Sequence, residues 1–382
     1  MTIQRVPLLD PVRGNAAVEA ELLAACARVL HSGRYILGPE VEAFEAACAK
    51  YLQVEHAIGV SSGTDALLMA LMALDLKPGD EVICPSFTFF ATAGSVWRSG
   101  AKPVFVDSRP DTFNLDPRDV ERKLTARTRA IMPVHLFGQA ADMQPIVELA
   151  RSRNIATIED AAQAIGAEYR GKRVGGLGTA GCLSFFPSKN LGGFGDAGLV
   201  TTRNSALADK LRMLRTHGGI KTYEHKLVGG NFRIDALQAA LLAVKLPHLD
   251  KDTAARQAHA QHYRKRLLAE NVAAEGPGAP VILPAVKESR HVFNQFVIRV
   301  PNKRDALRDY LAEKNIGSAV YYPLPLHLQP CFKALGTGPL PVAEELAREV
   351  LAIPIAAELS TAEIDFVCEQ LVAFCRRELG VS

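Results

Sequence analysis

Gly181-Cys182-Leu183-Ser184-Phe185-Phe186-Pro187-Ser188-Lys189-Asn190-Leu191-Gly192-Gly193-Phe194-Gly195-Asp196-Ala197-Gly198 decides how the rest of the chain is read. A short apolar, aromatic run ends in Pro-Ser, and one lysine then precedes a glycine-rich loop. The run 183–186 reads as a buried strand, which puts Lys189 just past a strand end, in a tight turn. A lone lysine is ordinarily a solvated surface residue. A desolvated one loses part of its preference for the charged form, so its amine can attack a carbonyl and form a Schiff base. The glycines let the backbone fold closely around a bound group.

Two decoys lie beside this lysine. Gly176-Leu177-Gly178-Thr179-Ala180-Gly181 and Gly193-Phe194-Gly195-Asp196-Ala197-Gly198 both match G-x-G-x-x-G. A dinucleotide fingerprint needs a strand before it and a helix opening within it. Here each match is followed by a strand-like run, 182–186 and 199–202, so the nicotinamide reading is rejected.

Outward from the lysine, the pattern is β-α-β-α. Strands are predicted over 57–60, 81–84, 103–106, 130–134, 156–159, 182–186 and 199–202. Helices are predicted over 16–32, 41–51, 66–74, 91–99, 117–124, 143–153, 205–216 and 235–246. Near-continuous apolar strands alternating with helices argue a mostly parallel sheet covered on both faces. Pro247 marks a change of unit. A long polar helix (252–268), an alternating strand (293–300), a helix (304–314), a strand (318–321) and a terminal helix (361–378) follow. The expected division is therefore an N-terminal arm and large α/β domain over 1–249 and a smaller C-terminal α+β domain over 250–382.

Composition narrows the class. The chain has 382 residues, 48% hydrophobic and 22% charged, ordinary for a soluble globular enzyme. A net charge of +3 is far from the excess of a nucleic-acid binder. The seven cysteines make no C-x-x-C pair, and most lie in apolar runs, which implies buried free thiols in a reducing compartment. Residues 1–10 show no apolar signal-peptide core, and no apolar run is long enough to span a bilayer. A cytoplasmic protein with no membrane partner and no metal site is expected.

Three further stretches carry chemistry. Ser62-Gly63-Thr64-Asp65 falls between a strand and a helix, where free N–H groups and the positive dipole end make a phosphate cradle. Taken alone, an ordinary N-cap explains it as well. Glu159-Asp160 ends an apolar strand, where ligands of such sheets bind, and a carboxylate there can keep a pyridinium nitrogen protonated. A helix cap is the alternative. Pro85-Ser86-Phe87-Thr88-Phe89-Phe90 follows another strand end and offers an aromatic face for a planar ring, or simply a core cluster. Phosphate cradle, stacking aromatic, strand-end acid and late lysine together fit one ligand, pyridoxal 5′-phosphate.

These motifs, with Gly33-Arg34-Tyr35-Ile36-Leu37-Gly38-Pro39, Glu159-Asp160-Ala161-Ala162-Gln163, Ser184-Phe185-Phe186-Pro187-Ser188-Lys189 and Gly230-Asn231-Phe232-Arg233, resemble the DegT/DnrJ/EryC1/StrS nucleotide-sugar aminotransferases over nearly the whole chain. The resemblance implies the aspartate-aminotransferase (fold type I) architecture, with a mostly parallel mixed sheet. It makes Lys189 the Schiff-base lysine and proton carrier, with Asp160 on the pyridine nitrogen and Gln163 near the ring hydroxyl. Phe89 would stack on the ring, while Gly63, Thr64 and Ser184 hold the phosphate. Asn231 would reach the phosphate of a neighbouring subunit, which implies an obligate homodimer with shared sites. Dehydratase relatives carry histidine in place of this lysine, so Lys189 favours transamination.

By the same resemblance, L-glutamate is the amino donor and a keto-sugar on a nucleoside diphosphate the acceptor. His217, Arg233 and Tyr322 are substrate-side candidates, Arg233 because a guanidinium suits bidentate phosphate or carboxylate recognition. Tyr321 stands where many relatives have histidine. The expected substrate is a 3-keto hexose or hexuronate on UDP, from a surface-polysaccharide pathway. A dTDP-linked 3-keto-6-deoxyhexose and a 4-keto sugar come next, and a non-catalytic regulatory protein of the same fold is the alternative from another class.

Overall fold

The computed structural model describes residues 3–288 and 290–379. Seven strands, β1 (His56–Val60), β2 (Glu81–Pro85), β3 (Lys102–Val106), β4 (Thr128–Ile131), β5 (Ala156–Asp160), β6 (Ala180–Ser184) and β7 (Gly198–Thr202), form one sheet in the order β1-β7-β6-β5-β4-β2-β3. From β3 across to β6 every neighbouring pair is parallel. β7 runs antiparallel to both β6 and β1. A parallel partner demands a crossover, usually a helix, whereas an antiparallel one can be reached by a loop. The chain therefore passes from β6 to β7 through the loop 185–197, and Lys189 rides on that loop.

Side chains alternate along each strand, so the sheet buries both faces. Ile83, Leu183 and Leu199 enter one core, with Phe44 and Leu52 of α2 (Pro39–Leu52) and Leu241 of α8 (Ala236–Lys245). Val82, Cys182 and Val200 enter the other, with Leu67 and Met69 of α3 (Gly63–Met72) and Leu211 of α7 (Ser205–Arg215). Besides the single turn Pro11–Asn15, the other α-helices of this part are α1 (Glu19–Ser32), α4 (Ala91–Arg98), α5 (Pro117–Lys123) and α6 (Met143–Arg153).

A third core holds Tyr263 and Leu267 of α9 (Leu249–Ala269) with strands Phe296–Arg299 and Val350–Ile353 and the last helix, Thr361–Leu379. Val6 joins it: its N–H donates to Asn315 O at 3.0 Å, and Gly317 N donates to Val6 O at 2.8 Å. Of the seven cysteines, five are buried, Cys26 is half-buried and Cys331 is exposed. No described helix is long and apolar enough to cross a membrane.

Several boundaries differ from those read in the sequence. The first long helix opens as a 3-10 turn, Ala16–Val18. β4 stops at Ile131, because Pro133 offers no N–H to a ladder. The predicted strand over 318–321 is a single bridge between Ala319 and Ala352. Its partner strand Val350–Ile353 and the preceding helix Pro341–Glu349 went unread, although Pro at the first helical position is a fair start signal.

Candidate active site

β6 ends at Ser184, and the chain turns at once. Lys189 N donates to Phe186 O at 2.8 Å, and Gly193 N donates to Phe185 O at 2.7 Å. Phe185 is fully buried, edge-on to Phe44 with ring centroids 5.4 Å apart. α8 fastens the far side of the loop. Phe194 N donates to Gln238 Oε1 at 2.9 Å, and Lys245 Nζ donates to Gly192 O at 2.5 Å. Lys189 keeps some accessible surface, yet protein crowds it closely enough that desolvation lowers its ammonium pKa to about 8. Asp160 opposes that shift without cancelling it.

Asp160, at the C-terminal end of β5, is 5% exposed. Burial raises its pKa, while hydrogen bonds and the charge of Lys189 pull the other way. Its Oδ2 accepts from Thr92 Oγ1 at 2.7 Å and its Oδ1 from Ala162 N at 3.2 Å. A fixed, buried carboxylate of this kind is built to pair with a cationic N–H.

At the start of α3, Ser62 Oγ accepts from Asp65 N at 3.1 Å, so the capping reading holds. It does not exclude the cradle, because first-turn N–H groups such as those of Gly63 and Thr64 have no intrahelical acceptor. Gly63 lies against the end of β6: a Cβ there would sit 2.6 Å from Ser184 Cβ. The structure thus brings Gly63, Thr64 and Ser184 together where β6 and α3 meet.

Gln163 Oε1 accepts from Phe137 N at 2.7 Å, and its Nε2 donates to Tyr322 OH at 2.9 Å. One amide hydrogen of Gln163 is left for another acceptor. Tyr322 lies edge-on to Phe87, centroids 6.1 Å apart, and 6.2 Å from the ring of Phe89. Phe89 is 57% exposed, a large apolar face with room for a flat partner.

The other three candidates sit on a separate stretch. His217 N donates to Gly230 O at 2.9 Å, and Thr216 bridges Asn231. Arg233 bridges Val60, and Ser61 N donates to Phe232 O at 2.9 Å, so this stretch runs past the α3 cap. Arg233 Nε is buried without a hydrogen-bond partner. His217 lines an open crevice with Lys221, Tyr223 and His225. Among the described residues, no hydrogen bond or ion pair links His217, Asn231 or Arg233 to Lys189, Asp160 or Gln163.

Sequence reasoning missed Thr92, the hydroxyl that orients Asp160. Its only signal was position, four residues after Thr88 at the opening of α4. The contact between Tyr322 and Gln163 joins residues 159 apart and had no local signal. The donor set fits a phosphorylated pyridine aldehyde. A helix N-terminus with Thr64 and Ser184 hydroxyls suits the phosphate, and a buried acid suits the ring nitrogen. An exposed aromatic face suits the ring, and an amine of lowered pKa suits the carbonyl.

Comparison with known proteins bears on this set directly. The DegT/DnrJ/EryC1/StrS aminotransferase family matches residues 16–372. The chain belongs to that family. A Geobacillus stearothermophilus relative named "Pleiotropic regulatory protein" is 49% identical, with 97% of this chain and 99% of that one covered. A Streptomyces venezuelae "dTDP-3-amino-3,4,6-trideoxy-alpha-D-glucose transaminase" is 46% identical over 93% and 92%. Family relatives at 40–43% identity carry names with UDP-, dTDP- and GDP-linked sugars. Among solved structures, S. venezuelae DesV in complex with a ketimine intermediate superposes with a TM-score of 0.92 at 43% identity, covering 98% of this chain and 100% of that one. A Bacillus subtilis family protein with bound cofactor PMP gives 0.90 at 34%, covering 98% and 86%. The mixed seven-stranded sheet is the fold type I sheet of these aminotransferases.

Proposed function

We propose that this aminotransferase uses pyridoxal 5′-phosphate to move the amino group of L-glutamate to the C3 keto carbon of a nucleoside-diphosphate sugar. The observation that carries the reading is Lys189, its pKa lowered to about 8 beside a buried, hydrogen-bonded Asp160. Names of relatives support the sugar class, and several of them name 3-amino or 3-oxo sugars. UDP and dTDP both appear in those names. A 3-keto hexose or hexuronate on UDP and a dTDP-linked 3-keto-6-deoxyhexose are therefore the two acceptors to test first.

The bound cofactor supplies an electron sink that lets an amino group leave one carbon and join another. Gly63, Thr64 and Ser184 hold its phosphate, Asp160 its ring nitrogen, Gln163 its hydroxyl and Phe89 its ring face. With a pKa of about 8, a large share of Lys189 is neutral near that pH, so Nζ would move a proton between the substrate carbon and the cofactor's benzylic carbon in each half-reaction. Thr92 keeps the Asp160 carboxylate aimed while this happens. His217, Arg233 and Tyr322 meet the sugar nucleotide, and the buried, unpartnered Nε of Arg233 supports an anionic ligand there.

The working unit we propose is a homodimer, in which Asn231 completes the partner's phosphate site. Exposed apolar side chains support a covered face. Tyr35 and Ile36 lie beside the start of α8, where Leu237 is exposed, and Phe194 is tied to the same helix through Gln238. A regulatory role without catalysis is the competing reading, and the name of the Geobacillus relative favours it. Incubation with L-glutamate and a panel of UDP- and dTDP-linked 3-keto and 4-keto sugars separates the two. Formation of an amino-sugar nucleotide from a 3-keto acceptor is expected. Amination only of 4-keto sugars overturns the C3 assignment, and no product from any of them overturns UDP- and dTDP-linked sugars as the acceptors.

A further inference from the structure

The glycine loop 175–178, where the first of the two G-x-G-x-x-G matches begins, is wrapped around a side chain of the protein itself. Glu159 Oε1 accepts from Leu177 N and Gly178 N, each at 2.7 Å. Its Oε2 accepts from Gly175 N at 2.7 Å and from the His135 ring at 3.0 Å. Gly175 has φ +88, a conformation that glycine adopts freely and that turns its N–H inward. Glu159 and His135 are both 0% exposed. His135 Nδ1 accepts from Ala141 N at 3.0 Å, so the ring proton sits on Nε2 and is donated to Glu159. The carboxylate is thus met by four N–H donors in a dry interior, where such a network is strong if complete and costly if broken.

What the pair holds is the loop 133–141, and that loop touches both ring-side residues. Pro133 O accepts from Asp160 N at 2.8 Å, and His135 N donates to Asp160 O at 3.0 Å. Two residues on, Phe137 N donates to Gln163 Oε1 at 2.7 Å. Asn114 fastens the same loop, accepting from Leu136 N and donating to Gln139 O and Ala140 O. His135 therefore grips the backbone of Asp160 with its main chain and the carboxylate of the neighbouring Glu159 with its ring.

We propose that the Glu159–His135 pair, seated in the 175–178 loop, is a positioning unit that sets Asp160 and Gln163 against the cofactor ring. It rests on the reading that Asp160 and Gln163 meet that ring. His135→Gln leaves Glu159 its three backbone donors and removes only the ring. Glu159→Gln keeps the shape but turns an amide N–H₂ toward N–H donors. The readouts are the dissociation constant for pyridoxal 5′-phosphate and the pH midpoint of the bound cofactor's absorbance, with circular dichroism of the apoprotein as the folding check.

Both variants are expected to fold, to bind the cofactor about 10-fold or more weakly, the scale of one lost charge-assisted hydrogen bond, and to shift the midpoint. kcat should fall while KM for the sugar nucleotide holds. If Glu159→Gln does not fold, His135→Gln decides alone. A folded His135→Gln with wild-type affinity and midpoint overturns the proposal. Asp160→Asn is the control: if it too leaves affinity and midpoint unchanged, the underlying site reading has failed.

Discussion

A lysine that titrates near 8 instead of 10.5 has lost solvent faster than it has gained a counter-ion. Asp160 is near enough to raise the lysine's pKa, but burial dominates. The sign fixes a test. Below pH 8 Lys189 is charged and unreactive; above it the amine is free. Labelling of Lys189 in the apoprotein by an amine-directed reagent, read by peptide mapping, should therefore rise with a midpoint near pH 8, and a midpoint near 10.5 would contradict the burial account. The same burial has a stability consequence. Between pH 8 and 10.5 the unfolded chain binds the proton that the folded one has lost, so this group's contribution to stability rises with pH across that window. At this scale the positions of Lys189 and Asp160, just past the end of β6 and at the end of β5, could be read from their flanks, whereas Gln163 came only from the family resemblance. Thr92 could not be read, because its role is a hydrogen bond across 68 residues.

Elements were legible wherever burial was two-sided. β2, β5, β6 and β7 are buried along nearly their whole length because both faces of the sheet are covered, and the short apolar stretch in each announces itself. Short edges were not. The bridge at Ala319 is one residue of pairing, and Val350–Ile353 follows Pro341–Glu349 without a turn signal between them. β4 was read too long because Val134 is apolar, yet beyond Pro133 the chain leaves the strand to form the loop that bridges Asp160. The junction of β6 with α3 makes its own prediction. Gly63→Ala would put a methyl 2.6 Å from Ser184 Cβ, where one of the two elements must give way. We expect a loss of about 1–3 kcal/mol in denaturant unfolding of the apoprotein. Cofactor retention should weaken with it. Unchanged stability would mean that the junction is looser than drawn.

For the whole molecule, the proposed homodimer, in which Asn231 completes the partner's phosphate site, makes a prediction of its own. Mixing Lys189→Ala with Asn231→Ala, each nearly inactive alone, should restore roughly a quarter of wild-type turnover, since about half the dimers are hybrids with one of two sites intact. No recovery under conditions that exchange subunits would contradict shared sites. The sheet order and the antiparallel β7 put Lys189 on a loop at the carboxyl ends of β5 and β6, beside the cradle at α3, and these are the places such a sheet offers a ligand. The central claim is that Lys189 forms the covalent link to the cofactor and passes protons from it. Its most direct test is the absorbance of the purified protein before and after excess L-glutamate, for wild type and Lys189→Ala. We predict a near-visible band in the wild type that moves to shorter wavelength with glutamate, and no such lysine-linked band in the variant. A wild-type protein that takes up no pyridoxal 5′-phosphate, or a Lys189→Ala variant with the same band and the same shift, would contradict it.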